Sequence, residues 1–97
     1  MKLNAAKTEA IKAYFRTQPV LKAYLFGSYA KGQADDQSDI DILVELDYSK
    51  SIGLTFIQMQ LDLERILQAK VDLVSTNGIS KFIKPFIDHE KQLLYAS

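Results

Sequence analysis

Two aspartates separated by one residue, Asp39 and Asp41, open the most regular strand pattern in this 97-residue sequence. Ile40, Ile42, Val44 and Leu46 alternate toward one face, which leaves Asp39, Asp41, Leu43 and Glu45 on the other. A period of two sets both carboxylates on one side, with Cα atoms roughly 6.5–7 Å apart. Carboxylates at that spacing repel unless a cation lies between them. Hard oxygen donors suit Mg²⁺, which takes one or two carboxylates together with phosphate oxygens and water. A solvated polar strand face has the same pattern, so Asp-x-Asp alone does not choose between the two.

Two further features bear on the choice. Gly27-Ser28 falls where a strand ends and a helical turn begins. Glycine lets a backbone approach a ligand closely, free N–H groups at a helix start attract phosphate, and a serine hydroxyl can donate to a phosphate oxygen. Gly-Ser is also a common turn, and no Gly-Lys-Ser/Thr follows to make a Walker loop. Asp72 interrupts the apolar run Val71-Asp72-Leu73-Val74. A carboxylate inside an apolar strand is costly unless paired or metal-bound; on an edge strand it is an ordinary polar residue. Asp72 joins Asp39 and Asp41 only if its strand neighbours theirs.

The elements that must position these residues follow from periodicity. Leu3, Ala6, Ala10, Ile11, Tyr14 and Phe15 share one helical face, with Asn4 as N-cap and Pro19 as the stop. Leu21–Phe26 reads as a strand, Tyr29–Lys31 as a helical turn, and Gly32–Ser38 as a polar loop. Leu54–Gln68 is an amphipathic helix whose wide apolar stripe takes in Leu54, Ile57 and Leu61 as well as Phe56, Met59, Leu63, Ile66 and Leu67. After the third strand and an Asn77-Gly78 turn, Pro85 suits the first turn of a last helix running to about Tyr95. The order α-β-turn-β-α-β-α is that of an α/β (α+β) domain with a small mixed sheet packed with helices.

Composition narrows the function classes. Hydrophobic residues make up 47% and charged residues 25%, as in an ordinary globular protein. Lys plus Arg and Asp plus Glu each number 12, so direct nucleic-acid binding through phosphates alone is not expected. There is no cysteine, which excludes disulfides, zinc-thiolate sites and thiol catalysis. No apolar run approaches the roughly 20 residues that cross a bilayer. Lys2, Lys7, Glu9 and Lys12 interrupt the first fifteen residues, so no signal segment is expected and the location is read as cytoplasmic, with no membrane partner.

Taken together, Gly27-Ser28, the run Tyr29-Ala30-Lys31-Gly32, and Ser38-Asp39-Ile40-Asp41-Ile42-Leu43-Val44 resemble the signature of the DNA polymerase β-like nucleotidyltransferase superfamily, in particular its minimal nucleotidyltransferase (MNT) branch. Val71-Asp72-Leu73-Val74 and the closing segment Ile87–Tyr95 with Glu90 extend the match over nearly the whole chain. Lys31 departs from the arginine that relatives often carry there, which keeps the charge and loses the bidentate fork. It is left as a possible phosphate contact.

The resemblance implies a polymerase β-like nucleotidyltransferase fold, with residues 1–97 as a single minimal domain. It implies attack on the α-phosphate of a nucleoside triphosphate, with ATP as co-substrate and two Mg²⁺ ions held by Asp39, Asp41 and Asp72. Gly27 and Ser28 would cradle the β- and γ-phosphates, and Asp72 would serve as base for the attacking hydroxyl. In the MNT branch the small protein pairs with a helical HEPN RNase toxin, and as antitoxin it transfers AMP to a toxin tyrosine. The apolar and aromatic residues Phe82, Phe86, Ile87, Leu93, Leu94 and Tyr95 are candidates for a partner surface or for the core. Two rival readings stay open: a catalytically silent antitoxin acting by contact, and a transferase for a small-molecule acceptor held by a partner subunit. The intact acidic set favours catalysis, and the lack of an acceptor domain weighs against the small molecule.

Overall fold

The computed structural model describes residues 3–97; Met1 and Lys2, part of the stretch read for a signal segment, lie outside the described residues. The chain runs α1 (Ala5–Phe15), β1 (Val20–Phe26), α2 (Gly27–Lys31), β2 (Ile40–Leu46), α3 (Thr55–Leu67), β3 (Val71–Ser75), a 3₁₀ turn (Thr76–Gly78), α4 (Lys84–Glu90) and β4 (Gln92–Ala96). The four strands form one mixed sheet in the order β3-β2-β1-β4. β1 is antiparallel to both β2 and β4, and β2 is parallel to β3 through the α3 crossover.

Local chemistry accounts for most boundaries. Asn4 caps α1 by accepting the Lys7 N–H at 2.8 Å, and the 3.6-residue period carries Ile11 and Phe15 into the core. From β2 come Ile40, Ile42, Val44 and Leu46, as the alternation requires, and Leu43 is buried from the other face. Met59, Leu63 and Leu67 of α3 complete the same core with Val71 and Leu73. Each such fully buried side chain contributes about 1.5–3 kcal/mol. Pro85 sits in the first turn of α4 as expected.

Two expectations need correction. The last helix does not reach Tyr95: it ends at Glu90, Lys91 is extended, and Gln92–Ala96 forms β4. The reason is the open edge of β1, whose backbone groups β4 satisfies with Tyr95 opposite Ala23 and Gln92 opposite Leu25. Leu94 is buried and Tyr95 packs its ring 5.9 Å from that of Phe15, so these two belong to the core, while Phe82, Phe86 and Leu93 stay exposed. The α3 stripe also splits, since Leu54, Ile57 and Leu61 are exposed and only the Met59-Leu63-Leu67 side faces the sheet. Among the described residues no helix is long and apolar enough to cross a membrane.

Candidate active site

The three strands that carry or lead into the candidate residues are neighbours in the sheet. Phe26, the last residue of β1, is opposite Asp41 on β2, and Asp41 is opposite Asp72 on β3. Phe26, Asp41 and Asp72 therefore lie in one row across three neighbouring strands, and Gly27-Ser28 follows directly from Phe26 at the start of α2. The condition on Asp72 is met. It is exposed on an edge strand, however, so the cost of burying a carboxylate is not what brings it there. Its register is fixed by the α3–β3 joint, where Ile40 N–H donates to Lys70 O at 2.9 Å and Val71 N–H donates to Glu64 Oε2 at 3.1 Å.

Asp39 precedes β2 and is delivered by a closed turn. Ser38 N–H donates to Asp35 O at 3.1 Å, Gln37 N–H to Asp35 Oδ1 at 2.9 Å, and Asp35 N–H to Ser38 Oγ at 3.0 Å. Asp35 is exposed, as its loop position suggests, but it also organises the approach to Asp39.

Gly27 is the point where the two halves of the motif touch. Its φ is +72°, a conformation L side chains rarely adopt, and a Cβ placed on it would collide with the Asp41 carboxylate. The backbone of the Gly-Ser turn thus lies directly against Asp41. Burial, followed by the charges of Asp72, Asp39 and Glu90, pushes the Asp41 carboxyl from 3.8 up to about 6. Negative charge is concentrated here beyond what the neighbouring cations offset.

The profile of the family described as polymerase β nucleotidyltransferase matches residues 9–97. The chain belongs to the polymerase β nucleotidyltransferase family. A Methanocaldococcus jannaschii protein, named by inference as a protein adenylyltransferase, is 36% identical over 90 residues, 93% of this chain and 95% of that protein. Protein adenylyltransferase MntA of Thermococcus cleftensis is 41% identical over 59 residues, 61% of this chain and 59% of that protein. A solved toxin–antitoxin structure with AMP-PNP has a TM-score of 0.78 at 27% identity, over 98% of this chain and 75% of the matched one. The mixed sheet and its helices are the polymerase β-like nucleotidyltransferase fold of that branch.

Within this nucleotidyltransferase the carboxylates form an open donor set. Among the described residues no group of three or more His, Cys, Asp or Glu side chains is gathered closely enough to hold a metal ion by itself. Hard oxygens with uncompensated charge fit Mg²⁺, whose remaining ligands come from phosphate and water. Tyr29 is half-buried against the core. Lys31 is engaged by Glu90, whose carboxylate lies 3.2 Å from the Lys31 ammonium and also accepts the Gly27 N–H at 3.0 Å. Gln92 adds a tie from Nε2 to Ala30 O at 2.8 Å. Sequence reasoning names Glu90 only as part of the family match and gives it no role, because the contact spans 63 residues and depends on how α4 docks. Beside the turn an apolar groove opens between Phe26, Lys31, Ile83, Phe86 and Glu90.

Proposed function

We propose that this nucleotidyltransferase moves AMP from ATP to a protein acceptor, a tyrosine of a cognate HEPN RNase toxin, and so acts as the antitoxin of the pair. The observation that carries the reading is the pairing of Asp41 with Asp72 across neighbouring strands, with the Gly27 backbone at the end of β1 set against the Asp41 carboxylate. The relatives named as protein adenylyltransferases and the toxin–antitoxin structure with AMP-PNP support the choice of donor and acceptor.

Asp39, Asp41 and Asp72 would hold two Mg²⁺ ions. When bound, these supply charge neutralisation at the phosphates and a more acidic acceptor hydroxyl. Asp39 and Asp41 come from one strand and its entry turn, so their separation is fixed by backbone rather than by flexible loops. Asp72 faces solvent from the sheet edge, the side from which an acceptor can approach, and takes the proton of the attacking hydroxyl. Ser28 donates its hydroxyl to a phosphate oxygen. In the transfer the acceptor oxygen bonds to the α-phosphorus, the α–β bridging P–O bond breaks, and pyrophosphate leaves.

The test is incubation of the purified protein with α-phosphate-labelled ATP and Mg²⁺, alongside an Asp39→Ala/Asp41→Ala variant, in lysate of the source cell containing the partner. Label on one protein band, absent with the variant, is the expected result. Binding of the partner without any labelling would replace this reading with inhibition by contact alone. Label on a small molecule would identify a different acceptor.

A further inference from the structure

The Gly27 N–H and the Lys31 ammonium are two groups of the turn suited to an anion, and one carboxylate of this chain already holds both. Glu90 reaches Gly27 N with Oε1 at 3.0 Å and Lys31 Nζ with Oε2 at 3.2 Å. Its side chain is only 20% exposed. It is also close enough to Asp41 for their charges to oppose one another. A triphosphate entering the turn meets a Gly27 N–H that is already bonded, a Lys31 ammonium that is already paired, and a negative charge that repels it.

We propose that Glu90 is a built-in competitor for the phosphate cradle: it holds the Gly27–Lys31 donors in the free protein and is displaced by the triphosphate, so it sets nucleotide affinity. The inference rests on the reading of Gly27 and Ser28 as the phosphate-binding turn. Displacement has a structural route. Glu90 is the last residue of α4, and the chain turns at Lys91 into β4, so its side chain can swing away while Ile87 and Leu94 keep the neighbouring segments buried. The Gln92–Ala30 bond retains the contact between α2 and the C-terminal segment when Glu90 leaves. The Lys31–Glu90 pair is half open to water at the lysine, so the competition is modest, a tuning of affinity rather than a block.

The experiment compares wild type with Glu90→Gln, which keeps the size and an acceptor oxygen and removes the charge. AMP-PNP and AMP are titrated with Mg²⁺ by calorimetry. Freeing the cradle raises the competent fraction, so AMP-PNP should bind about three- to tenfold more tightly to the variant. AMP, which lacks the β- and γ-phosphates, should bind equally to both proteins. A second measurement needs no variant. On titrating wild type with AMP-PNP, the Gly27 amide and the Glu90 carboxyl carbon should shift together in NMR spectra.

Equal or weaker AMP-PNP binding by a folded Glu90→Gln overturns the proposal, as does a Glu90 carbon signal that stays unmoved at saturation. Equal tightening of AMP and AMP-PNP also overturns it, since the effect would then not lie at the phosphates. Absence of nucleotide binding by both proteins removes the phosphate-turn reading itself, and this proposal with it.

Discussion

Replacing Asp41 with Asn should make the metal-free protein more stable, although it removes a residue central to the proposed chemistry. Folding raises the Asp41 carboxyl from 3.8 to about 6, by burial first and by Asp72, Asp39 and Glu90 after it. The folded state thus holds a proton that the unfolded chain gives up more readily. The stability this contributes is complete below about pH 4 and is lost as pH rises through about 6. A shift of about two units corresponds to roughly 3 kcal/mol at 1.36 kcal/mol per unit. The carboxylate is partly exposed, and solvent screening reduces this to about 1–1.5 kcal/mol. In a domain of this size the effect on melting is roughly 5–10 °C. Thermal melts in EDTA at pH 5, 6, 7 and 8 test it. Wild type should melt higher at pH 5 than at pH 8, and Asp41→Asn should exceed wild type at pH 8 and approach it at pH 5. The carboxyls of Asp47, Asp62 and Asp88 are held below their ordinary value by hydrogen bonds, so their loss of stabilisation falls at lower pH, outside this window. Mg²⁺ should raise the wild-type melt at pH 8 and leave the variant little changed. A variant less stable than wild type at pH 8, or a flat wild-type profile, would refute the reasoning.

Other substitutions test separate parts of the structure. Gly27→Ala and Gly32→Ala both place a side chain at positive φ, which costs about 1–2 kcal/mol in backbone strain; only at Gly27 does the added Cβ meet Asp41, so only Gly27→Ala should also abolish nucleotide binding measured by calorimetry. In β4, Leu94 is buried, so Leu94→Ala should lower stability in urea melts by about 2–4 kcal/mol, whereas exposed Leu93 should tolerate alanine within about 0.5 kcal/mol. Tyr14 O–H donates to Asp62 Oδ2 at 2.6 Å and is the first cause holding the Asp62 carboxyl down. The stability from that bond is present above the ordinary carboxylate range and is lost as pH falls through the lowered value. Tyr14→Phe should therefore lower stability at neutral pH and flatten the acid side of the wild-type profile; it should also remove the loss of stability above about pH 10 that burial and the Asp62 bond give the raised Tyr14 hydroxyl.

What could be read from the sequence, and what could not, divides by the range of the interactions involved. The alternation of Ile40 to Leu46 and the Asn4 cap are local, and both appear where the residues place them. The Asp39-x-Asp41 pair needs only the strand period. The neighbourhood of Asp72 needs more, because it depends on a parallel crossover that sets Asp72 opposite Asp41, and here the family resemblance supplied what periodicity could not. β4 was misread because Gln92-Leu93-Leu94-Tyr95-Ala96 carries no period that separates helix from strand. The free edge of β1 decides, and that edge exists only in the assembled sheet. Exposure of Leu54, Ile57 and Leu61 has a similar origin: a helix can be apolar over a wide arc, but one sheet covers only one side of it.

Glu90 is the furthest case. As a residue in a line of sequence it is one of twelve acidic side chains, near the end of a helix whose length was itself overestimated. Ending α4 at Glu90 and turning the chain into β4 brings its carboxylate to Gly27 and Lys31. The same misreading therefore hid two things, because the strand that replaces the expected helix is what allows Glu90 to close on the turn. A helix continuing to Tyr95 would have denied β1 its second partner strand and removed the Gln92–Ala30 tie. The C-terminal strand is thus tied to the Gly-Ser turn through one corner, Glu90 to Gln92. With Glu90 as the proposed competitor, that corner is where affinity for a triphosphate changes while Asp39, Asp41 and Asp72 stay in place.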